Sequence, residues 1–133
     1  MTKEHILEKK IYYHDTDAGG VVYYANYLKH LEEGRTEYCA ARGIDTGALA
    51  QKGIYFVVAH LEIDYKASAS YGQTVAVCTQ VESVGRSSTH FLQTIKHVDK
   101  LLINSRVTWV CVNSAFKPIS IPADIKLLFS QDL

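Results

Sequence analysis

Two carboxylates and a pair of glycines stand close together in the segment 14–27, which reads His-Asp-Thr-Asp-Ala-Gly-Gly-Val-Val-Tyr-Tyr-Ala-Asn-Tyr. Asp15 and Asp17 fall between an alternating, strand-like run and the only long helical pattern in the sequence. The first N–H groups of a helix have no partners inside it and carry partial positive charge, so a carboxylate beside them is a candidate reaction centre. Asp and Gly are also the commonest turn and capping residues, and a purely structural loop is the alternative.

Length and composition indicate one domain and exclude some partners. The chain has 133 residues, of which 47% are apolar, nine are tyrosines, 14 are basic and 14 are acidic. This length suffices to bury a core without disulfides or metal, so we assign residues 1–133 to a single domain. The balanced charge and the lack of a basic cluster argue against a nucleic-acid partner.

Cysteine and histidine usage favours a reducing compartment and no metal. Cys39, Cys78 and Cys111 are far apart and odd in number, which is typical of reduced, buried small residues in a cytosolic protein. The six histidines are scattered without a ligand spacing, so we predict no metal site. No apolar run approaches the roughly twenty residues of a membrane span, and we expect a cytoplasmic location without membrane insertion.

The apolar periodicity predicts an α+β domain. Strands are predicted over residues 5–13, 54–69, 74–84, 88–98 and 101–112. A long helix is predicted from residue 21 or 23 to residue 42, a short turn capped by Asp45 over 45–51, and a closing helix over 123–129. The last three strands follow each other through tight turns, so they form an antiparallel meander.

The long helix should bury one face against the sheet. That face carries residues at helical spacing, namely Tyr27, Leu31, Gly34, Tyr38 and Ala41. The charged residues fall mostly on the other side or its edges, namely Lys29, Glu32, Glu33, Arg35, Glu37 and Arg42. Glycine in mid-helix costs about 1 kcal/mol relative to alanine, so Gly34 is expected to permit close approach to the sheet. One helix cannot cover both faces of five strands, so we expect at least a homodimer.

The loop segment, taken from Asp15 to Tyr27, closely resembles the signature of the 4-hydroxybenzoyl-CoA thioesterase family, nearest to its Tol-Pal-associated, YbgC-type acyl-CoA thioesterase branch. Further similar stretches are Arg35-Thr36-Glu37, Phe56-Val57-Val58, Ile63-Asp64-Tyr65 and Val110-Cys111-Val112. The resemblance implies the hotdog fold, an antiparallel five-stranded sheet wrapped around one long central helix, with a short C-terminal helix. It also implies an enzyme that hydrolyses an acyl-CoA thioester to free CoA and a carboxylic acid, in a homodimer or a dimer of dimers.

The resemblance assigns roles to the loop residues. It makes Asp17 the nucleophile or the general base for water, and the backbone N–H of Tyr24 the oxyanion donor. Gly20 would let backbone and substrate approach closely, and Asp15 would shape the loop. Tyr13 is similar to a site tyrosine of the branch, with packing as its alternative role. Several members of the branch have a catalytic histidine where this chain has Tyr24, which argues against a histidine-assisted mechanism here.

The resemblance also places coenzyme A, which belongs to the substrate, so that no separate cofactor is expected. Pantetheine would bind along Phe56, Val57 and Val58, and Arg86 would contact the nucleotide phosphates. Core packing and a solvated turn are the alternatives for these residues. Two other functions use the same fold, a non-catalytic acyl-binding module and a hydratase or dehydratase. The latter pairs a histidine with a carboxylate on the helix, and we find no helix residue that offers this pair.

Overall fold

A single antiparallel sheet of five strands forms the body of the molecule, in the spatial order β1-β3-β4-β5-β2. The strands are β1 (His5–Lys10), β2 (Tyr55–Tyr65), β3 (Thr74–Val84), β4 (Ser88–His97) and β5 (Lys100–Val112). Every neighbouring pair is antiparallel, which confirms the predicted sheet and its meander. The computed structural model describes residues 4–133, so the first three residues of the predicted domain lie outside the described residues. The strands β1 and β2 are the two edges of the sheet.

Within residues 4–133, three α-helices accompany the sheet, namely α1 (Asn26–Ala41), α2 (Thr46–Gln51) and α3 (Ala123–Ser130), and a short 3₁₀ helix spans Tyr13–Asp15. The long helix α1 packs mainly against β1 and β3, so it lies towards one side of the sheet and leaves the β2 side less covered. The Asp45 carboxylate accepts the Ala48 N–H at 3.0 Å and caps α2 as predicted. None of the helices within residues 4–133 is both long and apolar enough to cross a membrane.

Gly34 marks the closest approach of α1 to the sheet. A Cβ at this position would lie 2.7 Å from Val77 Cγ1 and 2.9 Å from Thr79 Oγ1. Real Cβ atoms do not come so close to such neighbours, so the helix can dock here only because residue 34 has no side chain. The role predicted for Gly34 is confirmed.

The Gln93 side chain ties the helix to the sheet inside the core. Its Nε2 donates to the Leu31 carbonyl and to Thr79 Oγ1, each at 2.8 Å, and its Oε1 accepts from Arg35 Nη1 at 3.0 Å. The Ser105 hydroxyl donates to the Gln93 carbonyl at 3.0 Å. Because Gln93 is fully buried, each of these bonds replaces one that water would otherwise have made.

Two predictions about the helix are wrong. Its start was placed at residue 21 or 23, but α1 begins at Asn26, because Val21 and Val22 are extended and bridge to Ser70 and Thr16. Arg35 and Arg42 were placed on the solvent side or its edges, yet they are 5% and 6% exposed.

Arg42 is buried because it joins the C-terminal end of α1 to the end of the chain. Its guanidinium donates to the Asp132 carboxylate through Nε at 2.9 Å and Nη2 at 2.6 Å. It also stacks over the Tyr38 ring, with Cζ 3.7 Å from the ring centroid. Burial raises the pKa of Tyr38 to about 12, so this ring stays neutral while the arginine carries the charge.

Candidate active site

The Asp/Gly segment forms a tight turn between two bridged residues, Thr16 and Val22. The Asp17 N–H donates to the Val21 carbonyl, and the Gly20 N–H donates to the Asp17 carbonyl, both at 3.0 Å. Gly20 has a φ of +79°, a left-handed conformation that glycine adopts without strain. Asp17 is the first residue of the turn, and it is exposed to solvent.

Only one oxygen of the Asp17 carboxylate accepts a hydrogen bond within the turn. Its Oδ1 accepts the Gly19 N–H at 2.8 Å, and its other oxygen takes no hydrogen bond from residues 4–133. The side chain lies near Tyr23: a hydrogen bond with Tyr24 raises the pKa of Tyr23, and the negative charge of Asp17 adds to the shift. Asp17 is therefore an oriented, accessible carboxylate with one oxygen available for chemistry.

Asp15 is buried, with an exposed fraction of 2%. Its Oδ2 accepts the Tyr12 N–H at 2.9 Å. Its main-chain carbonyl accepts the Tyr23 N–H at 3.0 Å and the Asn26 side-chain amide at 2.9 Å. Asp15 thus fastens the strand before the loop to the residues that start α1.

Tyr24 lies just before the helix, since Ala25 is the N-cap of α1. Its N–H donates a hydrogen bond to no acceptor among residues 4–133. Its carbonyl accepts the Tyr65 hydroxyl at 3.2 Å, and its ring, which is 61% exposed, packs against Tyr23 and edge-on to Tyr65. The amide is therefore both held in place and free to donate to a ligand.

Tyr13 contributes little to packing within the chain. Its side chain is 79% exposed, and its ring meets the edge of the Tyr71 ring, at 6.0 Å between centroids. Its carbonyl accepts the Thr16 N–H at 3.1 Å. The alternative of a packing tyrosine does not describe this residue.

The residues expected to bind coenzyme A form a second group at the other end of the sheet. Val57 pairs with Val110, which pairs with Ser88 of β4, next to the turn that carries Arg86. Phe56 stacks on Trp109 at 5.3 Å between centroids, so its side chain serves the core. Val58 is 50% exposed.

Arg86 is exposed, and a surface contact holds its side chain. Its Nε donates to Ser120 Oγ at 2.8 Å, and its carbonyl accepts the Ile121 N–H at 2.8 Å. The contact leaves the other guanidinium donors available for an anion.

One chain does not bring these two groups together. The loop lies beside Tyr65, at the end of β2, because Tyr24 contacts that residue. Val58 precedes Tyr65 by seven residues along β2, a distance of about 23 Å for an extended strand. Within one chain the Tyr24 loop and Phe56–Val58 therefore lie towards opposite ends of β2.

Sequence reasoning missed two buried polar residues of α1, His30 and Arg35. His30 is 4% exposed. Its Nε2 lies 3.6 Å from Asp15 Oδ1, and its Nδ1 lies 3.4 Å from Glu33 Oε1. The expectation that no helix residue pairs a histidine with a carboxylate is therefore wrong. The helical spacing contained the signal, since positions 30 and 35 flank the apolar positions 31 and 34.

The part of the chain that the structure describes contains no group of three or more His, Cys, Asp or Glu side chains that could hold a metal ion. Cys39, Cys78 and Cys111 are free and buried. Burial raises the pKa of each of these thiols, that of Cys39 to about 12. They are therefore unreactive near neutral pH.

Known proteins show the same sequence pattern and the same fold. Residues 12–129 match the thioesterase-like superfamily. The acyl-CoA thioester hydrolase YbgC of Escherichia coli O6:H1 is 35% identical over 124 residues, 92% of each chain. The acyl-CoA thioesterase YbgC of Haemophilus influenzae is 35% identical over 122 residues, 90% of each chain. The crystal structure of a probable thioesterase from Bartonella henselae is 30% identical and superposes with a TM-score of 0.86, covering 90% of this chain and 99% of that one. The predicted family and hotdog fold are thus confirmed, and this chain belongs to the thioesterase-like superfamily.

Proposed function

We propose that this protein hydrolyses acyl-CoA thioesters, with Asp17 as the reactive carboxylate and the Tyr24 N–H as the oxyanion donor. Water adds to the acyl carbon and the C–S bond breaks, giving a carboxylic acid and the free thiol of CoA. The observation that carries the proposal is the pairing, within one short segment, of a carboxylate with one unused oxygen at Asp17 and an amide without an acceptor at Tyr24, just before α1. The relatives named acyl-CoA thioesterases support the same reaction.

The loop supplies what a thioester carbonyl requires. A preorganised N–H donor at the developing oxyanion contributes about 3 kcal/mol of transition-state stabilisation. The Tyr24 N–H has this character because the Tyr65 hydroxyl holds the Tyr24 carbonyl and the first turn of α1 follows directly. Gly19 and Gly20 leave the approach to Asp17 clear of side chains.

Two routes are compatible with this geometry. In the first, an Asp17 oxygen attacks the acyl carbon, CoA leaves as its thiolate, and water then cleaves the resulting anhydride. In the second, Asp17 removes a proton from a water molecule that attacks the carbonyl directly, and then gives this proton to the departing CoA thiolate. Both routes consume one water and end with Asp17 ionised, and neither needs a cofactor.

We propose that the complete site forms between two copies of the chain. The outer side of β2 has no neighbouring strand within residues 4–133, so its backbone groups can pair with another strand. Antiparallel pairing of β2 with a second β2 about a twofold axis sets the Tyr65 end of one copy beside the Phe56–Val58 segment of the other. Such a dimer would join the catalytic loop of one chain to the coenzyme segment and Arg86 of its partner.

A panel of acyl-CoA thioesters tests the reaction. We expect the wild-type protein to release free thiol, measured with a thiol reagent, from some members of a panel of aliphatic and aromatic acyl-CoAs. Light scattering coupled to size-exclusion chromatography should give at least a dimer. A protein that binds CoA yet releases no thiol from any substrate would be an acyl-binding module, and the proposed hydrolysis would be wrong.

Subunit complementation tests the shared site. Asp17→Asn should be inactive, and Arg86→Glu should have a raised KM and be weak at low substrate. After the two variants are mixed and allowed to exchange subunits, each heterodimer has one site with both residues intact, so about a quarter of the wild-type activity should return. A site within one chain predicts no recovery, since every chain carries one defect. A mixture of Asp17→Asn with inactive Asp17→Ala is the matched control.

The buried His30 supports a second candidate, a hydratase. It lies on α1 between the Asp15 and Glu33 carboxylates, beside a cavity of about 580 Å³ that all three residues line. Hydration of an enoyl-CoA consumes the conjugated double bond without releasing thiol. Loss of crotonyl-CoA absorbance without thiol release would establish this activity, whereas thiol release alone supports the thioesterase.

We further propose that the reaction takes place in the cytoplasm. Three free, buried thiols suit a reducing compartment, where they have no route to disulfides. Fractionation of the producing cell with an antibody to the protein tests this location.

A further inference from the structure

A cavity of about 230 Å³ opens between α1 and the edge strand β2. Its wall consists of Leu28, Leu31, Arg35, Val58, Leu61 and Val107. All of these residues are aliphatic except Arg35, which is itself 95% buried, with an exposed fraction of 5%. An apolar cavity with one cationic group suits a ligand that is apolar along most of its length and anionic at one point.

Neighbouring contacts locate the guanidinium at the Val107 wall. Nη1 of Arg35 donates to Gln93, which pairs with Ser105 of β5. Its Cζ lies 5.7 Å from the Trp109 ring centroid. Val107 lies between Ser105 and Trp109 on the same face of β5, so the charged end of Arg35 stands beside this cavity residue.

Arg35 forms no ion pair with a carboxylate within residues 4–133, although the nearby negative charge of Glu32 favours its cationic form. Its hydrogen-bond partner, Gln93, is neutral, and its Nε is buried without any partner. Burial lowers the pKa of Arg35 to about 10, so the group is still a cation at neutral pH. Buried charges are normally paired, and this one has donors to spare.

The cavity is aligned with the proposed reaction centre. Its helix wall is formed by Leu28, Leu31 and Arg35, which follow the Tyr24 amide at successive turns of α1. The Arg35 guanidinium lies beside the preceding turn of the helix, since it bonds Gln93, whose Nε2 also bonds the Leu31 carbonyl. An acyl chain whose carbonyl lies at the Tyr24 N–H can therefore run along the leucines and end at the guanidinium.

We propose that Arg35 binds a carboxylate at the far end of the acyl chain, so that the preferred substrates are ω-carboxyacyl-CoA thioesters. This inference rests on the proposed thioester hydrolysis. A plain aliphatic chain of the same length would fill the cavity and leave the buried Arg35 Nε without an acceptor. A terminal carboxylate satisfies it with a charge-assisted hydrogen bond.

Matched substrate pairs test the inference on the wild-type protein. Glutaryl-, adipyl- and suberyl-CoA are compared with pentanoyl-, hexanoyl- and octanoyl-CoA by thiol release, each against an enzyme-free control. At the length that reaches Arg35, we expect kcat/KM to be at least about tenfold higher for the carboxylated member. Hydrolysis of the aliphatic members with no such preference at any length overturns the inference and leaves the thioesterase intact. No thiol release from any substrate overturns both.

Two variants attribute the preference to Arg35. Arg35→Met should lower the ratio of carboxylated to aliphatic kcat/KM to about one or below. Because Arg35 also bonds Gln93, folding is checked by circular dichroism. Val58→Glu leaves that bond untouched and adds an acidic side chain at the half-exposed cavity wall, so it should lower the same ratio by repelling the substrate carboxylate and pairing with Arg35. A ratio that keeps its wild-type value in either folded variant excludes Arg35 as the determinant.

Discussion

Asp15 and Asp17 are separated by one residue, but the fold places their carboxylates in opposite environments. Asp15 is buried, accepts the Tyr12 N–H and holds Tyr23 and Asn26 through its carbonyl. Asp17 is exposed at the start of the turn, where one carboxylate oxygen accepts the Gly19 N–H and the other is unused within residues 4–133. A carboxylate committed to the scaffold determines where the loop goes, and one left partly free can act on a substrate.

The largest effect should come from Asp17→Asn. The amide oxygen can still accept the Gly19 N–H, so the melting temperature should stay within experimental error. The loss of the reactive carboxylate should lower kcat by about 10³-fold. Calorimetry and thiol release on the same preparation check both parts. Full activity in the folded variant would remove the distinction between the two aspartates.

Asp15→Ala should act on stability first. It removes the buried carboxylate that accepts the Tyr12 N–H in a partly buried hydrogen bond, which should reduce the free energy of unfolding by about 1–3 kcal/mol. Asp17→Ala is the matched control and should lose less, because water can serve the exposed Gly19 N–H. Urea unfolding measures both. An equal loss in the two variants would contradict the assigned division between scaffold and chemistry.

The two glycines of the turn also divide into one that matters for stability and one that matters for activity. Gly20→Ala should cost about 1 kcal/mol of stability, since Gly20 has a φ of +79° and no atom lies within 4 Å of the added Cβ. Gly19→Ala should cost less stability and more activity, because its Cβ would lie 3.2 Å from Asp17 Oδ1. Melting temperature and kcat for both variants check this crossed pattern. Equal activities in the two variants would mean that Gly19 does not constrain the Asp17 carboxylate.

Tyr24→Phe should have the smallest effect. Only the amide of Tyr24 is assigned to the reaction, so kcat should be nearly unchanged, and stability should stay within about 0.5 kcal/mol. The hydrogen bond with Tyr24 raises the pKa of Tyr23, so this pKa should fall back towards its ordinary value in the variant. Alkaline absorbance titration detects the shift. Loss of activity with intact folding would assign a role to the hydroxyl.

Local patterns predicted most of the fold because they have local causes. The strand β3 has the predicted bounds, since turn residues bracket an apolar alternation. Gly34 was predicted to allow close packing, and Val77 and Thr79 are the neighbours that require it. The predicted start of α1 was wrong because Val21 pairs with a residue distant in sequence and Val22 pairs across the turn. No helical or strand period encodes such bridges.

The site was harder to predict than the fold. The loop motif pointed to Asp17 and Tyr24, and the structure shows why each has a free group. The same reasoning missed His30 and Arg35, because charged residues on a helix are by default assigned to solvent. Sequence alone also could not show that the loop and Phe56–Val58 lie at opposite ends of the sheet, since that separation depends on strand pairing.

The buried Gln93 amide has a consequence for substrate length. Aliphatic contacts are non-directional, so a helix docked through them alone could slide by a turn at modest cost. Gln93 binds Leu31 and Arg35 of the helix as well as Thr79 of the sheet, and such a slide would break its two bonds to the helix inside the core. Gln93 therefore fixes the position of α1 along the sheet, and with it the positions of the helix start and of Arg35. Gln93 touches no substrate, yet it determines the distance between the reacting carbonyl and the far end of the acyl cavity.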